Sequence, residues 1–76
     1  MRWLLEYDRS ADAAYIYLVE AISPGEAKKP YLCNPLEVGG MINLDFNLSG
    51  RLIGIEVMDA SKNLPANLLK LGTIIG

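Results

Sequence analysis

Hydrophobic and polar positions alternate with a period of two in four stretches of the chain, and each stretch predicts a β-strand. In Arg2 to Tyr7, the residues Trp3, Leu5 and Tyr7 fall on one face. In Ala14 to Val19, Ala14, Ile16 and Leu18 line one face, and Tyr15, Tyr17 and Val19 line the other. The turn formers Asp8-Arg9-Ser10-Ala11-Asp12 separate these two runs, so they predict a hairpin. A second hairpin is predicted from Met41 to Phe46 and Arg51 to Met58. There Ile42, Leu44 and Phe46 alternate with Met41, Asn43 and Asp45, and Ile53, Ile55 and Val57 alternate with Leu52, Gly54 and Glu56.

The turn Asn47-Leu48-Ser49-Gly50 suits a type I turn with Gly50 left-handed. A three-residue loop would put Phe46 opposite Leu52 and Leu44 opposite Gly54, mixing polar and apolar sets. A four-residue loop puts Phe46 opposite Arg51, Leu44 opposite Ile53 and Ile42 opposite Ile55. It unites the apolar sets and is the register expected. It also puts Glu56 opposite Met41, Asp45 opposite Leu52 and Gly54 opposite Asn43.

Periodicity disappears from Ala21 to Gly40, where Pro24-Gly25, Pro30, Asn34-Pro35 and Gly39-Gly40 punctuate an irregular loop. Tyr31-Leu32-Cys33 could form a short edge strand within it. Beyond Asp59, Leu64, Leu68, Leu71 and Ile75 fall at helical spacing. They predict one short helix on the sheet, with Pro65 in its first turn, Ser61 or Asn63 as cap and Gly72 as its stop. The fold class expected is α+β: a small antiparallel sheet of two hairpins, β-β-loop-β-β, then a C-terminal helix, all in a single domain over residues 1–76.

Composition adds one pressure to this picture. In 76 residues, 51% are hydrophobic, more than so small a body can hide. Exposed apolar surface of this kind marks a partner face, and a symmetric homodimer is the commonest cover. A net charge of −2 offers no basic field for nucleic acid, and Lys28-Lys29 reads as a solvated pair. The lone Cys33 cannot form an intrachain disulfide and fits a reducing compartment. The run Trp3-Leu4-Leu5 is too short for a signal or a membrane span, so a cytoplasmic protein is expected.

Candidate chemistry is sparse. No histidine occurs, which removes the commonest general base and metal ligand, and one cysteine cannot build a zinc site. No cofactor, metal site or catalytic set is therefore expected. Asp8-x-Ser10-x-Asp12 resembles the opening of a calcium loop but has Ala13 and Val19 where that loop needs glycine and glutamate. Asp8 and Asp12 are read as acceptors of backbone hydrogen bonds in the turn. Asp45, Glu56 and Asp59 are candidate ligand or interface residues; in the expected register Asp45 and Glu56 share a face but stand well apart. Glu56 is read as held by a structural salt bridge or by a hydrogen bond to a turn. Tyr15 and Tyr17 project together, either as interface anchors or as core under the loop or helix.

Two stretches together carry a resemblance. Tyr7-Asp8-Arg9-Ser10-Ala11-Asp12-Ala13-Ala14-Tyr15-Ile16, and Leu44-Asp45-Phe46-Asn47 with Gly50-Arg51-Leu52-Ile53-Gly54-Ile55-Glu56-Val57-Met58-Asp59-Ala60-Ser61, resemble the two signatures of the small prokaryotic family called domain of unknown function 2283. The resemblance covers both hairpins and the helix start. The central loop is longer than the family's, and the turn Asn47-Leu48-Ser49 is less acidic. The resemblance implies no established activity; it implies a small stand-alone protein, some of whose relatives are associated with toxin-like proteins through neighbouring genes. The expectation is a non-enzymatic homodimeric interaction module, with an antitoxin-like partnership as one form of it. The alternative is a small-ligand or hydrolytic protein using carboxylates at a dimer interface.

Overall fold

The computed structural model describes residues 4–76, so the expectation for Trp3 lies outside the described residues. Along the chain run β1 (Leu4–Asp8), β2 (Ala13–Tyr17), β3 (Tyr31–Leu32), α1 (Pro35–Val38), β4 (Ile42–Phe46), β5 (Leu52–Met58), α2 (Ala60–Asn63), α3 (Ala66–Leu71) and β6 (Thr73–Ile75). The strands form one sheet in the order β3-β4-β5-β2-β1-β6. The two expected hairpins, β1–β2 and β4–β5, are present, and the antiparallel pair β2–β5 joins them. The sheet is nevertheless six-stranded and mixed, because β6 runs parallel to β1. The α+β class holds; the simple two-hairpin sheet does not.

Three local corrections explain the difference. The first is the β4–β5 register. The Asn47 N–H donates to the Arg51 carbonyl at 2.8 Å, closing a three-residue loop rather than four. The Asn47 carboxamide oxygen enforces this loop by accepting from the Ser49 N–H at 3.1 Å, the Ser49 hydroxyl at 2.8 Å and the Arg51 N–H at 2.9 Å. Gly50 is left-handed as expected, at φ 88°. Phe46 then faces Leu52, while Asp45 faces Gly54, so Ile53 is an extra residue in a β-bulge. The bulge restores the parity that the short loop would have lost. Leu44 faces Ile55 and Ile42 faces Val57, so apolar still meets apolar, two residues further along than expected.

The second correction lies in the 21–40 segment. Tyr31–Leu32 is the edge strand anticipated, paired with β4, but a helical turn follows it. Asn34 caps α1 by accepting the Leu36 N–H at 3.0 Å, Pro35 opens it, and Gly39 closes it left-handed. The third concerns the C-terminus. The predicted helix is broken at Leu64-Pro65 into α2 and α3, and its last stripe residue, Ile75, sits on β6. Gly72 ends α3 in extended backbone and passes close to Leu5, where a Cβ would meet the Leu5 carbonyl at 2.8 Å.

The core occupies one face of the sheet's middle. Leu5, Ala14 and Ile16 pack there with Ala60 and Leu69 from the helices, and Tyr7, Leu18, Ile55, Leu64 and Leu68 rim them. α2 lies against β5 and α3 against β1. Ala60 is completely buried. The helices stop short of β4, where all five residues are only half-buried.

Candidate functional site

Every carboxylate carried by a strand falls on the sheet face opposite the core. Alternation places Leu5 and Tyr7 toward the core and turns Glu6 and Asp8 outward; it turns Tyr15 and Tyr17 outward from Ala14 and Ile16. Pairing carries the pattern across the sheet: Glu6 faces Tyr15, Tyr15 faces Glu56, Tyr17 faces Gly54, Asn43 faces Glu56, and Asp45 faces Gly54. Among the described residues no strand contains a lysine or arginine, so the described part of this open face has four carboxylates and no basic strand residue.

The tyrosines organise the face. Tyr15 donates its hydroxyl to Asp45, crossing β5 to reach β4. It can do so because Gly54 lies beneath: a Cβ there would collide with the Tyr15 hydroxyl and ring. This mid-strand glycine thus marks the close approach of a side chain. Tyr17 donates to Glu6 at 3.1 Å, and the two tyrosine rings meet at 4.7 Å, tilted by 54°. Asn43 donates to Glu56 at 2.8 Å, so the partner of Glu56 is a strand amide across the ladder, not the salt bridge or turn expected of it. Burial first, then the bond to Asp45, pushes the Tyr15 hydroxyl well above the ordinary tyrosine range; burial and then Glu6 push Tyr17 up too. Both hydroxyls stay protonated at neutral pH and act as donors rather than bases.

The corrected register also revises which acids meet. Asp45 and Glu56 are not well apart: they sit on diagonal neighbours, and both charges act on the Tyr15 hydroxyl between them. Asp59 lies past the end of β5, three positions beyond Glu56 and five beyond the Gly54 that faces Asp45. It is exposed and left-handed at φ 50°, and its side chain makes no cap bond to α2. Among the described residues no cluster of His, Cys, Asp or Glu could hold a metal ion, and no helix is long and apolar enough to cross a membrane.

The turn carboxylates have separate tasks. Asp8 accepts from the Ser10 N–H at 3.0 Å, the Ser10 hydroxyl at 2.7 Å and the Ala11 N–H at 3.3 Å, as its position in the turn suggests. Asp12 instead reaches out of its turn. Its carboxylate accepts the Tyr7 hydroxyl at 2.7 Å, the Ser61 N–H at 3.0 Å and the Ser61 hydroxyl at 2.7 Å. Its backbone carbonyl takes the Ala60 N–H at 2.9 Å. Asp12 therefore caps α2 from a distance, the role that Asp59 leaves open. These donors hold both carboxyls below the usual range: Ser10 is the main cause for Asp8, and Tyr7, then Ser61, for Asp12.

A cleft of about 390 Å³ lies where β1 begins and β2 ends. Glu6, Tyr17 and Glu20 give it polar groups, and Leu4, Ile22 and Leu71 give it apolar walls. Glu6, Glu20, Asn43 and Gly54 are not among the site residues expected from the sequence. Of these, only Gly54 carried a local signal, as a glycine inside an alternating strand.

Fold and site together define a small mixed-sheet α+β domain whose polar residues brace the sheet and tie it to its helices. The two signatures meet physically in this bracing: Tyr7 and Asp12 of the first hold Ser61 of the second, and Tyr15 of the first holds Asp45 of the second. Residues 4–61 match the family described as Protein of unknown function (DUF2283), and the chain belongs to that family. The matched span runs from β1 into α2 and leaves α3 and β6 outside. No curated protein and no solved structure matches the chain.

Proposed function

We propose that this chain is a homodimeric protein–protein interaction module in which a second copy covers the part of the core-side face that α2 and α3 leave open. The observation that carries this reading is β4. It is hydrogen-bonded on both sides, by β3 and β5, yet Ile42, Leu44 and Phe46 are only half-buried. Tyr31, which pairs with Leu44, is 63% exposed, and α1 buries none of its residues. A neighbouring apolar surface of this kind is what homodimer interfaces bury. An antitoxin-like partnership is the heterotypic form of the same reading, with a toxin-like protein in place of the second copy.

Multi-angle light scattering at micromolar concentration tests the dimer. The expected mass is twice that of the chain, and Leu44→Glu should return it to one while the far-ultraviolet dichroism is kept. A concentration-independent monomer for the unaltered chain overturns the reading.

The second reading, a small-ligand or hydrolytic protein using Asp45, Glu56 or Asp59 across a dimer interface, has one supporting observation: Asp45 and Glu56 flank the Tyr15 hydroxyl on the open face. Any hydrolysis of simple esters or phosphoesters should then fall in Asp45→Asn. Unchanged turnover in that variant removes this reading.

A further inference from the structure

We propose that the cleft at the start of β1 and the end of β2 receives an arginine side chain presented by a partner protein. The inference rests on the interaction-module reading only in taking that partner to be a protein; it does not need the β4 surface.

At about 390 Å³ the cleft falls within the ordinary range of ligand pockets, about 300–1,000 Å³. Its chemistry is divided in the way an arginine is divided. Leu4, Ile22 and Leu71 can line a three-carbon stem, and Leu71 is 82% exposed. Glu6 and Glu20 supply two carboxylates, and none of the described lining residues is basic. Glu6 uses one oxygen to accept the Tyr17 hydroxyl, which fixes the carboxylate in place while its second oxygen retains the capacity to accept.

Two further features favour a guanidinium over other cations, and a third favours any cation. Its planar fork can bridge a held carboxylate and a second, exposed one in a way that an ammonium cannot. Tyr17 lines the cleft, its ring braced by Tyr15, so an aromatic side chain stands beside the guanidinium. The neighbouring sheet face, with Asp8, Asp45 and Glu56 and no basic residue on its described strands, adds a negative field that draws a basic segment toward the cleft.

The test is a titration of the full chain followed by amide chemical shifts, with n-butylguanidinium as the probe. The neutral isostere n-butylurea and the point cation n-butylammonium serve as comparisons. Saturable shifts are expected at Glu6, Tyr17, Ala21, Ile22 and Thr73, with about ten-fold weaker binding for the urea, since a charged partner is lost. Glu20→Gln, an exposed substitution that leaves the sheet intact, should weaken guanidinium binding several-fold, as should added salt.

Equal shifts from the urea would mean an apolar groove only, and equal binding of the ammonium would mean any cation is accepted. Non-saturating shifts spread over Asp8, Asp45 and Glu56 would mean general attraction to an acidic face. Each of these overturns the proposal. Leu44→Glu should bind the probe as the unaltered chain does, so loss of the dimer and loss of the cleft are read separately.

Discussion

β2 and β4 are both interior strands, each with a hydrogen-bonded neighbour on either side, yet they have opposite fates. β2 alternates between half-buried and buried positions, with Ala14 and Ile16 sealed under the helices; β4 buries nothing fully. The sequences do not explain this, since Ile42, Leu44 and Phe46 are as apolar as the β2 set. Coverage does. Six strands span roughly 24 Å across the sheet at about 4.8 Å spacing. α2 and α3, of four and six residues, are only about 6 and 9 Å long, and each is about 10 Å wide. Two such pieces cover β1, β2 and β5 and run out before β4. Pairing the backbone of a strand and burying its side chains are separate problems, and this fold solves the second for only half of its sheet.

The comparison is most directly tested by truncating one leucine on each side. Leu5→Ala, under the helices, should cost about 2–5 kcal/mol, the range for a leucine removed from a packed core. That is a large part of the stability of a small domain. Leu44→Ala on the open half should cost under about 1 kcal/mol at concentrations where the chain is monomeric, because less area is lost and no closed cavity forms. Urea denaturation of both variants measures the gap, and equal losses would mean that β4 is covered after all.

Gly54 comes next, since it lies where the two halves meet. Gly54→Ala should destabilise by about 1–3 kcal/mol, because the new methyl group displaces the Tyr15 ring from Asp45. In a Tyr15→Ala background the same change should be nearly neutral. A double-mutant cycle gives the coupling, and its absence would mean the ring does not lie over this glycine.

Gly50 tests the hairpin of the open half on its own. Its φ of 88° strains any branched side chain, although nothing crowds the position. Gly50→Val should cost about 1–3 kcal/mol, and Gly50→Asn less, since asparagine tolerates left-handed backbone. Equal effects would remove the left-handed turn.

Acid gives the mildest probe and should act on the covered half through Asp8 and Asp12. The fold holds the Asp8 and Asp12 carboxyls below their ordinary range. Their contribution is therefore complete above the unfolded value near about 4 and is lost as pH falls through the folded values. Denaturation midpoints should decline below about pH 4, and the decline should be shallower in Asp12→Asn, which has no charge to lose there.

The sequence carried the hairpins, the faces of β2 and the left-handed Gly50, because alternation and turn chemistry are local. The bulge at Ile53 had one local sign, the neighbouring mid-strand Gly54, but its place in the register follows from the Asn47 side chain choosing a shorter loop. The stripe Leu64–Leu68–Leu71–Ile75 was misread at its last member. Thr73-Ile74-Ile75 is a β-branched run after a glycine, but three residues are too few for periodicity to separate strand from helix. The open polar face was legible in composition only. Tyr15 and Tyr17 pointed to it, but the Asp45 and Glu6 that hold them depend on register and on β1 lying beside β2.

The pairing of β6 with β1 also fixes an order of events in folding. Each hairpin closes over a few residues of chain, whereas Glu6 meets Thr73 only after almost the whole sequence has been gathered. Loop entropy places such a contact late. The last strand to arrive has three exposed residues and a single neighbour, so it is also the first to leave. Native-state hydrogen exchange should find the α3–β6 unit opening on its own, at a fraction of the global unfolding energy. Each opening exposes the outer edge of β1 and the wall of the Glu6–Glu20 cleft that Leu71 and Thr73 supply.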